Sequence, residues 1–475
     1  MTTPHYDLVV IGGGSGGLTA ATIAARVRAR VLLVDRTRLG GDCLHGGCVP
    51  SKALLASAHL AHRMRRAADL GLAPVEVRPD IRAVMARVRG IQAEIGRHES
   101  PEAMRAQGVS VMLGGARFVD PFTIVVGDRE RVTGARFIVA TGSRAEAPPI
   151  PGLREAGHLD HGSLFGIDAL PARLAVLGGG PIGVEMGQAL ARLGAKVTIL
   201  QRAPRLLDRE EPELSAHLAS ALAEEGIDVR LGVDVTRVER RGADKVLTWS
   251  AGGAANELCA DEVLVAVGRR PVIDALGIDA AGVDRNEKGI VVDDRLETSR
   301  KHIYAVGDCA GGPQFTHWAE YEARIAARNA LFRGSERRSM RVVPWVTFCD
   351  PEVARVGLTE AEARREGLRA HAHRYEFARL DRAITEGRPG GLIKVVVDEE
   401  RILGAHIVGH GAGEALAEWV LAVQHGLSLA DVGRAIHVYP TIGRINRRVA
   451  DAAFLEHGLP SWLVKLGGRF TPRDE

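Results

Sequence analysis

The chain has 475 residues, of which 46% are hydrophobic and 25% are charged, and its formal net charge is +3. This length exceeds what one hydrophobic core covers and predicts two to four domains, and the composition excludes a disordered chain. The 62 basic and 59 acidic residues are spread along the chain. A nucleic acid partner is not expected, because phosphate binding needs a concentrated basic face.

The N-terminus, MTTPHYDLVVIGGG, has no basic stretch ahead of an apolar segment, so no secretory signal is expected. No run approaches the roughly 20 apolar residues of a membrane-spanning helix. We therefore expect a cytoplasmic protein without a membrane span.

Residues 7–36, DLVVIGGGSGGLTAATIAARVRARVLLVDR, predict a strand, a glycine turn, a helix and a second strand. The turn has the G-x-G-x-x-G pattern at Gly12, Gly14 and Gly17. The first glycine forms the tight turn, the second lets backbone approach a pyrophosphate, and the third lets helix and strand pack closely. Asp35 ends the second strand, where a carboxylate binds a ribose hydroxyl. The segment predicts a dinucleotide site with the phosphates at a helix N-terminus.

The stretch GGDCLHGGCVPSK, residues 40–52, places two of the five cysteines close together, at Cys43 and Cys48. It is open to three interpretations: a metal site, a structural cross-link and a redox pair. A zinc site needs four ligands, usually as two close pairs, and the sequence has no second close pair of cysteines. A reducing compartment disfavours a static disulfide, so we favour the redox pair and predict no metal. The remaining cysteines are interpreted as small buried apolar groups: Cys259, Cys309 and Cys349.

Residues 173–202, RLAVLGGGPIGVEMGQALARLGAKVTILQR, repeat the same pattern. The glycines of this second copy are Gly178, Gly180 and Gly183. A single G-x-G-x-x-G is a weak signal, but two copies between a strand and a helix predict one protein that binds two dinucleotides.

The second copy differs from the first at the acidic position. Gln201 stands where the first copy has Asp35, so the carboxylate that would repel a 2′-phosphate is absent. Arg202 and Arg205 follow it and could bind such a phosphate, which favours NADPH over NADH. The alternative is that Arg202 is a solvated surface charge, since Arg36 holds the matching position after Asp35.

Three further motifs carry glycines or an aspartate after a strand-like run: the ATG of Ala140, Thr141 and Gly142, the AVGRRP of residues 266–271 with Gly268, and the IYAVGD of residues 303–308 with Gly307 and Asp308. Together with GGDCLHGGCVP, they resemble the FAD-dependent pyridine nucleotide-disulfide oxidoreductases, which include lipoamide dehydrogenase, glutathione reductase and mercuric reductase. In this family the aspartate of the last motif binds the ribityl chain of the flavin.

The resemblance implies an α/β fold with two Rossmann-like domains for FAD and NAD(P) and a C-terminal α+β dimerisation domain. It also divides the chain into four segments: residues 1–145 for the first FAD part with the cysteine pair, 146–266 for NAD(P), 267–340 for the second FAD part, and 341–475 for the dimerisation domain of a homodimer. The strand-like runs LIKVVVD and ILGAHIVG and the helix-like run GEALAEWVLAVQHG agree with an α+β domain at the C-terminus.

The resemblance also implies a path for electrons, from NADPH or NADH through FAD to a Cys43–Cys48 disulfide and on to an acceptor. Cys48 would face the flavin, Cys43 would attack the substrate, and Gly41 would lie beside the cofactor. A helix that starts near the pair lowers the thiol pKa. The family pairs the position of Lys52 with a glutamate, here Glu185, and the alternative is two solvated charges.

The stretch IHVYPTIGRINRR departs from the family pattern. Tyr439 stands where lipoamide dehydrogenase and glutathione reductase have a catalytic histidine, and Arg444 stands where they have a glutamate. A tyrosine with a pKa of about 10 is a poor base at neutral pH, although it can donate a proton. Either His437 acts as the base, or the acceptor needs none, as for a metal ion or a quinone.

The acceptor is therefore open among a small disulfide, a metal ion and a quinone. Mercuric reductase uses a C-terminal pair of cysteines, and this sequence ends GGRFTPRDE without one, so efficient mercuric reduction is not expected. Asp42 and His45 also replace residues that are often Thr and Asn in the family. The alternatives are a diaphorase or quinone reductase that does not use its cysteines in turnover, and a nucleotide-responsive binding protein without turnover.

Overall fold

The computed structural model describes residues 3–127, 129–251, 254–332 and 334–456. Two compact units divide the chain. The first consists of residues 1–65, 75–202 and 232–340, and the second consists of residues 66–74, 203–231 and 341–475. Because the first unit includes segments assigned to both FAD and NAD(P), the predicted four-part division stays a prediction.

The first compact unit contains a parallel sheet of five strands, which includes both strands of the first glycine-rich segment. Its strands, in spatial order, are Ile303–Ala305, Phe137–Val139, Leu8–Ile11, Val31–Asp35 and Ser110–Leu113. Alternate residues of the strand Leu8–Ile11 pack against different partners. Val10 packs with Ala20 and Ala326 of two helices, and Val9 packs with Phe118 on the other face. Both faces are covered, which is why the strand is a continuous apolar run.

A second parallel arrangement contains the strands Lys196–Gln201, Arg173–Leu177 and Glu262–Val265. The remaining sheets of the first unit are small: an antiparallel meander of Asp234–Arg241, Asp244–Ala251 and Ala254–Ala260; a sheet of His5–Tyr6, Glu130–Gly134, Thr123–Val126 and Ala116–Asp120; and the pairs Arg269–Pro271 with Ser143–Ala145 and Arg285–Asn286 with Gly289–Ile290. The helices of this unit are Ser15–Arg26, Gly41–His45, Cys48–Arg65, Ile81–Gly96, Pro101–Ala106, Leu153–Ala156, Pro181–Arg192, Ile278–Ala281 and Thr316–Phe332.

The second unit contains an antiparallel sheet of five strands in the order Trp345–Thr347, Glu352–Gly357, Arg401–Gly409, Leu392–Asp398 and Ala370–Glu376. It also contains the strand Asp228–Leu231 and the helices Pro212–Glu224, Glu360–Arg365, Asp381–Thr385, Ala412–His425, Leu429–Arg434 and Arg444–Glu456. Trp419 is fully buried in its core with Phe377 and Ile407. The strands and the helix that the sequence predicts after residue 390 are confirmed.

The mixed α/β fold class is confirmed as a whole. Within the residues that the structure describes, no helix is both long enough and apolar enough to span a membrane. The sequence end GGRFTPRDE, on which the argument about mercuric reduction rests, lies outside those residues.

Candidate active site

The first glycine turn leaves no room for a side chain at Gly12 or Gly17. A Cβ added at Gly12, where φ is +111°, would lie 2.3 Å from the carbonyl oxygen of Ala140, and one at Gly17 would lie 1.8 Å from the carbonyl oxygen of Gly12. Gly14 caps the N-terminus of the helix Ser15–Arg26 without a side-chain hydrogen bond. The turn therefore presents the N-terminus of this helix without a covering side chain, as a pyrophosphate site requires.

Asp35 holds the turn from the end of the neighbouring strand. Its Oδ2 accepts a hydrogen bond from the backbone N–H of Gly13 at 2.8 Å. Its Oδ1 accepts from the N–H groups of Thr37 and Arg38 at 2.9 and 3.1 Å. The predicted ribose ligand is thus also the anchor of the glycine turn.

The second glycine turn is built in the same way. A Cβ at Gly178, where φ is +108°, would lie 2.5 Å from Val267 Cγ1, and one at Gly183 would lie 1.9 Å from the carbonyl oxygen of Gly178. Gly180 caps the helix Pro181–Arg192, and a Cβ there would meet open space. Gln201 Oε1 accepts from the N–H of Gly179 at 2.9 Å.

The cysteine pair lies directly beside the first glycine turn. Cys43 belongs to the short helix Gly41–His45, and Cys48 is the first residue of the helix Cys48–Arg65. A Cβ at Gly41, where φ is +58°, would lie 2.6 Å from the Cα of Gly14. Gly41 therefore lets the cysteine loop approach the first glycine turn closely.

The two thiols differ in acidity. The hydrogen bond with Cys43 lowers the pKa of Cys48 to about 6, and the Thr316 hydroxyl and the Lys52 charge add to this effect against the cost of burial. The Thr316 Oγ1 lies 3.3 Å from the Cys48 Sγ. The same hydrogen bond to Cys48, together with burial, raises the pKa of Cys43. These opposite directions favour the thiolate at Cys48 and the proton at Cys43 in the reduced pair.

Lys52 and Glu185 form an ion pair. The Lys52 Nζ donates to Glu185 Oε2 at 2.8 Å, and the Glu185 side chain is only 6% exposed. Lys52 follows Cys48 by one helical turn, and Glu185 lies on the helix of the second glycine turn. The structure brings the two predicted residues together, and their role in catalysis stays a prediction.

The three motifs after the glycine units lie at strand ends. Thr141, between Ala140 and Gly142, donates its hydroxyl to the carbonyl oxygen of Val272 at 2.7 Å. Gly268 and Gly307 have φ of +81° and +69°. Asp308 is largely buried, and its Oδ2 accepts a hydrogen bond from the Ser143 hydroxyl at 2.5 Å. The first glycine turn suits the diphosphate of FAD, and the buried Asp308 carboxylate suits its polyhydroxyl chain.

His437 and Tyr439 lie in the second unit. The His437 Nδ1 lies 3.0 Å from the carbonyl oxygen of Ala435, and its Nε2 lies 3.0 Å from both carboxylate oxygens of Glu418. Both ring nitrogens face acceptors, so the Ala435 carbonyl and the Glu418 carboxylate hold the imidazole in place. The Arg444 guanidinium stacks on the Tyr439 ring at 4.9 Å. The catalytic roles of His437 and Tyr439 stay predictions.

Sequence reasoning missed several side chains of these sites. Thr316, Glu418 and Ser143 contact predicted residues but carry no local motif that would single them out. Arg269 lies inside the AVGRRP motif, so its position was visible although its contacts were not. Cys309 and Cys349 are buried as expected, whereas Cys259 is exposed at the surface. Across the described part of the chain, no three His, Cys, Asp or Glu side chains form a metal-binding group.

Comparisons with known proteins agree with this geometry. Residues 6–323 match the family described as pyridine nucleotide-disulphide oxidoreductase, and residues 343–448 match its dimerisation domain. A mercuric reductase of Bacillus cereus is 35% identical over 92% of this chain and 70% of its own length. A dihydrolipoyl dehydrogenase of Thermus scotoductus is 38% identical over 94% of this chain and 97% of its own length.

A solved structure is also similar. The HOCl-induced flavoprotein disulfide reductase RclA from Escherichia coli superposes with a TM-score of 0.84 and 28% identity, over 94% of this chain and all of that one. The resemblance and the function that it implies are confirmed. The chain belongs to the pyridine nucleotide-disulphide oxidoreductases, which use FAD to pass electrons from NAD(P)H through a redox-active cysteine pair.

Proposed function

We propose that the chain is an NADPH-dependent reductase of a thiophilic metal ion, with Cu(II) as the first acceptor to test. The observation that carries this proposal is a contrast between the cysteine pair and the C-terminal segment. Cys43 and Cys48 are poised for thiol chemistry, while the C-terminal segment has Tyr439 in place of the histidine and His437 bound at both ring nitrogens. A metal ion takes up electrons without a proton, so no base is required for it.

Similar proteins support a metal acceptor. One solved structure of the similar Escherichia coli protein is described as its Cu(II) complex, and several relatives are named mercuric reductases. Thiolates are the ligands that soft metal ions prefer.

The electrons and protons of the proposed step balance. FAD, when bound, supplies the route by which a hydride from the nicotinamide becomes two electrons for the disulfide. Opening the S–S bond with these electrons and one proton leaves a thiolate at Cys48 and a thiol at Cys43. As the S–S bond forms again, the sulfurs release one proton and two electrons, which reduce two Cu(II) ions to Cu(I).

Charge supports NADPH as the preferred donor. Gln201 provides the acceptor oxygen that the second glycine turn needs without adding a negative charge. Arg202 beside it is exposed, so its guanidinium can reach a 2′-phosphate. NADH, which has a hydroxyl at that position, gains nothing from either feature.

A homodimer is the proposed assembly. The match to a dimerisation domain spans residues 343–448. Within that range Ile436, Val438 and Tyr439 are 96%, 73% and 59% exposed. A second copy of the chain would cover these apolar side chains, and sedimentation of the purified protein at twice the mass of the chain would agree with this. The cytoplasmic location stays a prediction.

A low-molecular-weight disulfide is the second candidate acceptor. The 38% identity to a dihydrolipoyl dehydrogenase favours it. In that case two electrons and two protons would convert the disulfide to two thiols, and the Tyr439 hydroxyl is the group proposed to donate a proton.

The test is an activity panel with NADPH and NADH against Cu(II), mercuric ion, oxidised glutathione, lipoamide and a quinone. We expect Cu(II)-dependent oxidation of NADPH, with Cu(I) captured by a chelator. Cys43→Ser and Cys48→Ser should each lower this rate by about a hundredfold or more, since either loss prevents disulfide formation. Cys259→Ser is the matched control, because this exposed cysteine lies outside the pair.

Three outcomes would contradict the proposal. Reduction of Cu(II) by Cys43→Ser at the wild-type rate would exclude the cysteine pair from the reaction. Fast lipoamide or glutathione reduction with no reduction of either metal would favour the disulfide. Quinone reduction that survives Cys43→Ser, without activity on the other acceptors, would favour the diaphorase alternative.

A further inference from the structure

A chain of polar side chains joins the cysteine loop to Asp308. Asp42 precedes Cys43 in the helix Gly41–His45. Its Oδ2 accepts a hydrogen bond from the Arg269 Nη2 at 2.7 Å. The Arg269 side chain is 18% exposed and the Asp42 side chain is 41% exposed, so the arginine is the more shielded of the two partners.

The same arginine also reaches toward Asp308. Its Nε donates to the Ser143 hydroxyl oxygen at 2.8 Å, and the Ser143 hydroxyl donates to Asp308 Oδ2. The distance from the Arg269 Nε to Asp308 Oδ2 is 3.7 Å, beyond a hydrogen bond. One guanidinium thus stands between two carboxylates: it hydrogen-bonds to Asp42 and lies at ion-pair distance from Asp308 without a direct hydrogen bond.

His161 closes the contact between Asp42 and Arg269. Its Nε2 lies 3.1 Å from both Asp42 carboxylate oxygens and 2.9 Å from the Arg269 Nη1. The nitrogen either donates to the carboxylate or accepts from the guanidinium, and both arrangements hold Arg269 beside Asp42.

The turn that carries His161 packs on the cysteine loop. Asp160 Oδ1 accepts from the N–H groups of Gly162 and Ser163 at 2.9 and 2.8 Å, which shapes the turn. A Cβ added at Gly46, between the two cysteines, would lie 3.0 Å from Asp42 Oδ1 and 3.3 Å from the Cα of Gly162. His161 is therefore brought to Asp42 by a defined turn and a close backbone contact.

The pKa shifts of the two carboxylates agree with the hydrogen bond of Arg269 to Asp42. Burial alone would raise the pKa of Asp42, but the hydrogen bond with His161 and the charge of Arg269 lower it to about 2. Burial raises the pKa of Asp308, against the Ser143 hydrogen bond and the Arg269 charge. Asp42 is thus the stronger partner for the guanidinium.

We propose that Asp42 and His161 are positioning residues that hold Arg269 on the cysteine loop, so that Asp308 keeps its remaining acceptor capacity for the ribityl hydroxyls of FAD. Loss of the Asp42 charge releases Arg269 to form a direct hydrogen bond with Asp308. The inference rests on the assigned FAD chemistry and on the proposed role of Asp308, and it does not depend on which acceptor the enzyme reduces.

The test measures FAD binding by the apoprotein, with flavin fluorescence as the readout. We expect Asp42→Asn to raise the dissociation constant of FAD about tenfold, the size of one hydrogen bond to a charged group, and to shift the visible spectrum of the bound flavin. His161→Asn should act in the same direction with a smaller effect. Asp42→Glu, which keeps the charge, should restore part of the affinity.

A double variant identifies the path. If Asp42 acts through Arg269, then Asp42→Asn combined with Arg269→Gln should bind FAD no more weakly than Arg269→Gln alone. The matched control is Asp274→Asn, because Asp274 pairs with the neighbouring Arg270 at 3.5 Å at an exposed site. This control should bind FAD as the wild type does.

Two results would overturn the proposal: wild-type FAD affinity and spectrum in Asp42→Asn, or additive effects of the two substitutions in the double variant. Should the Asn variant fail to fold, Asp42→Thr provides the same comparison, since the family often has Thr at this position. None of these measurements uses an electron acceptor, so their failure is distinct from a failure of the metal reductase proposal.

Discussion

The two glycine units share one backbone design and differ in charge. The first glycine of each turn has nearly the same φ, +111° at Gly12 and +108° at Gly178. In each, the backbone N–H after this glycine donates to a side-chain oxygen at the end of the next strand, Asp35 at 2.8 Å and Gln201 at 2.9 Å. The turn therefore needs an acceptor oxygen and not a carboxylate.

This difference separates two requirements that the pattern usually combines. The glycines determine the shape of the turn, because they allow the close approaches to backbone atoms. The residue at the strand end determines the charge beside the ribose, and a carboxylate there repels a 2′-phosphate whereas an amide does not. The predictions below test shape first and charge afterwards.

The largest effect is expected from a methyl group in the first turn. Gly12→Ala should lose FAD almost completely, because the Cβ would lie 2.3 Å from the Ala140 carbonyl oxygen in a backbone conformation that alanine rarely adopts. Gly178→Ala should purify with its flavin and instead show a raised KM for NADPH. The flavin-to-protein ratio and steady-state kinetics report the two effects. A yellow Gly12→Ala protein with full flavin content would contradict the shared design.

Gln201→Glu should change the preference for the nicotinamide cofactor. The new carboxylate keeps an acceptor oxygen for Gly179 but repels the 2′-phosphate, so the ratio of kcat/KM for NADPH over NADH should fall by about a hundredfold. Stopped-flow or steady-state rates with both cofactors measure this ratio. An unchanged ratio would mean that the phosphate does not lie near residue 201.

The hydrogen bond with Cys43 makes the main contribution to the low pKa of Cys48, and the Lys52 charge is expected to add to it. The thiolate should be present above about pH 6 and should disappear as pH falls through that value, because the folded-state pKa is depressed. Lys52→Met removes a positive charge and should move this midpoint upward by about one pH unit. A pH titration of the long-wavelength absorbance of the reduced enzyme measures it. Lys196→Met, at an exposed lysine of the second glycine-rich segment, should leave the midpoint unchanged.

The smallest effect is expected from the arginine beside Gln201. Arg202→Ala should lower kcat/KM for NADPH about fivefold and leave that for NADH unchanged, as for loss of one exposed charge-assisted hydrogen bond. Arg36→Ala is the matched control at the same position of the first unit and should not change FAD affinity. Equal losses with NADPH and NADH would instead identify Arg202 as a structural surface charge.

The strength of the local patterns explains how much was predictable. Both glycine turns and the late strands of the second unit follow from periodicity and from glycine positions within short segments, whereas the fold class as a whole is implied by the family resemblance. The pairing of Lys52 with Glu185 was predicted only through the family resemblance, since 133 residues separate the two. The contact of Glu418 with His437 was not predicted, because Glu418 carries no local signal on its helix.

By itself the sequence determined which backbone turns form and where the thiols lie, because a glycine's missing Cβ and a cysteine's sulfur are properties of single residues. The tertiary structure decided which charges meet. It brought Asp42, His161 and Arg269 together from three distant segments, paired His437 with Glu418, and placed the Gln201 amide on a backbone N–H. Ion pairs and hydrogen bonds depend on distances of about 3 Å, and only the packed fold determines such distances between residues far apart in the chain.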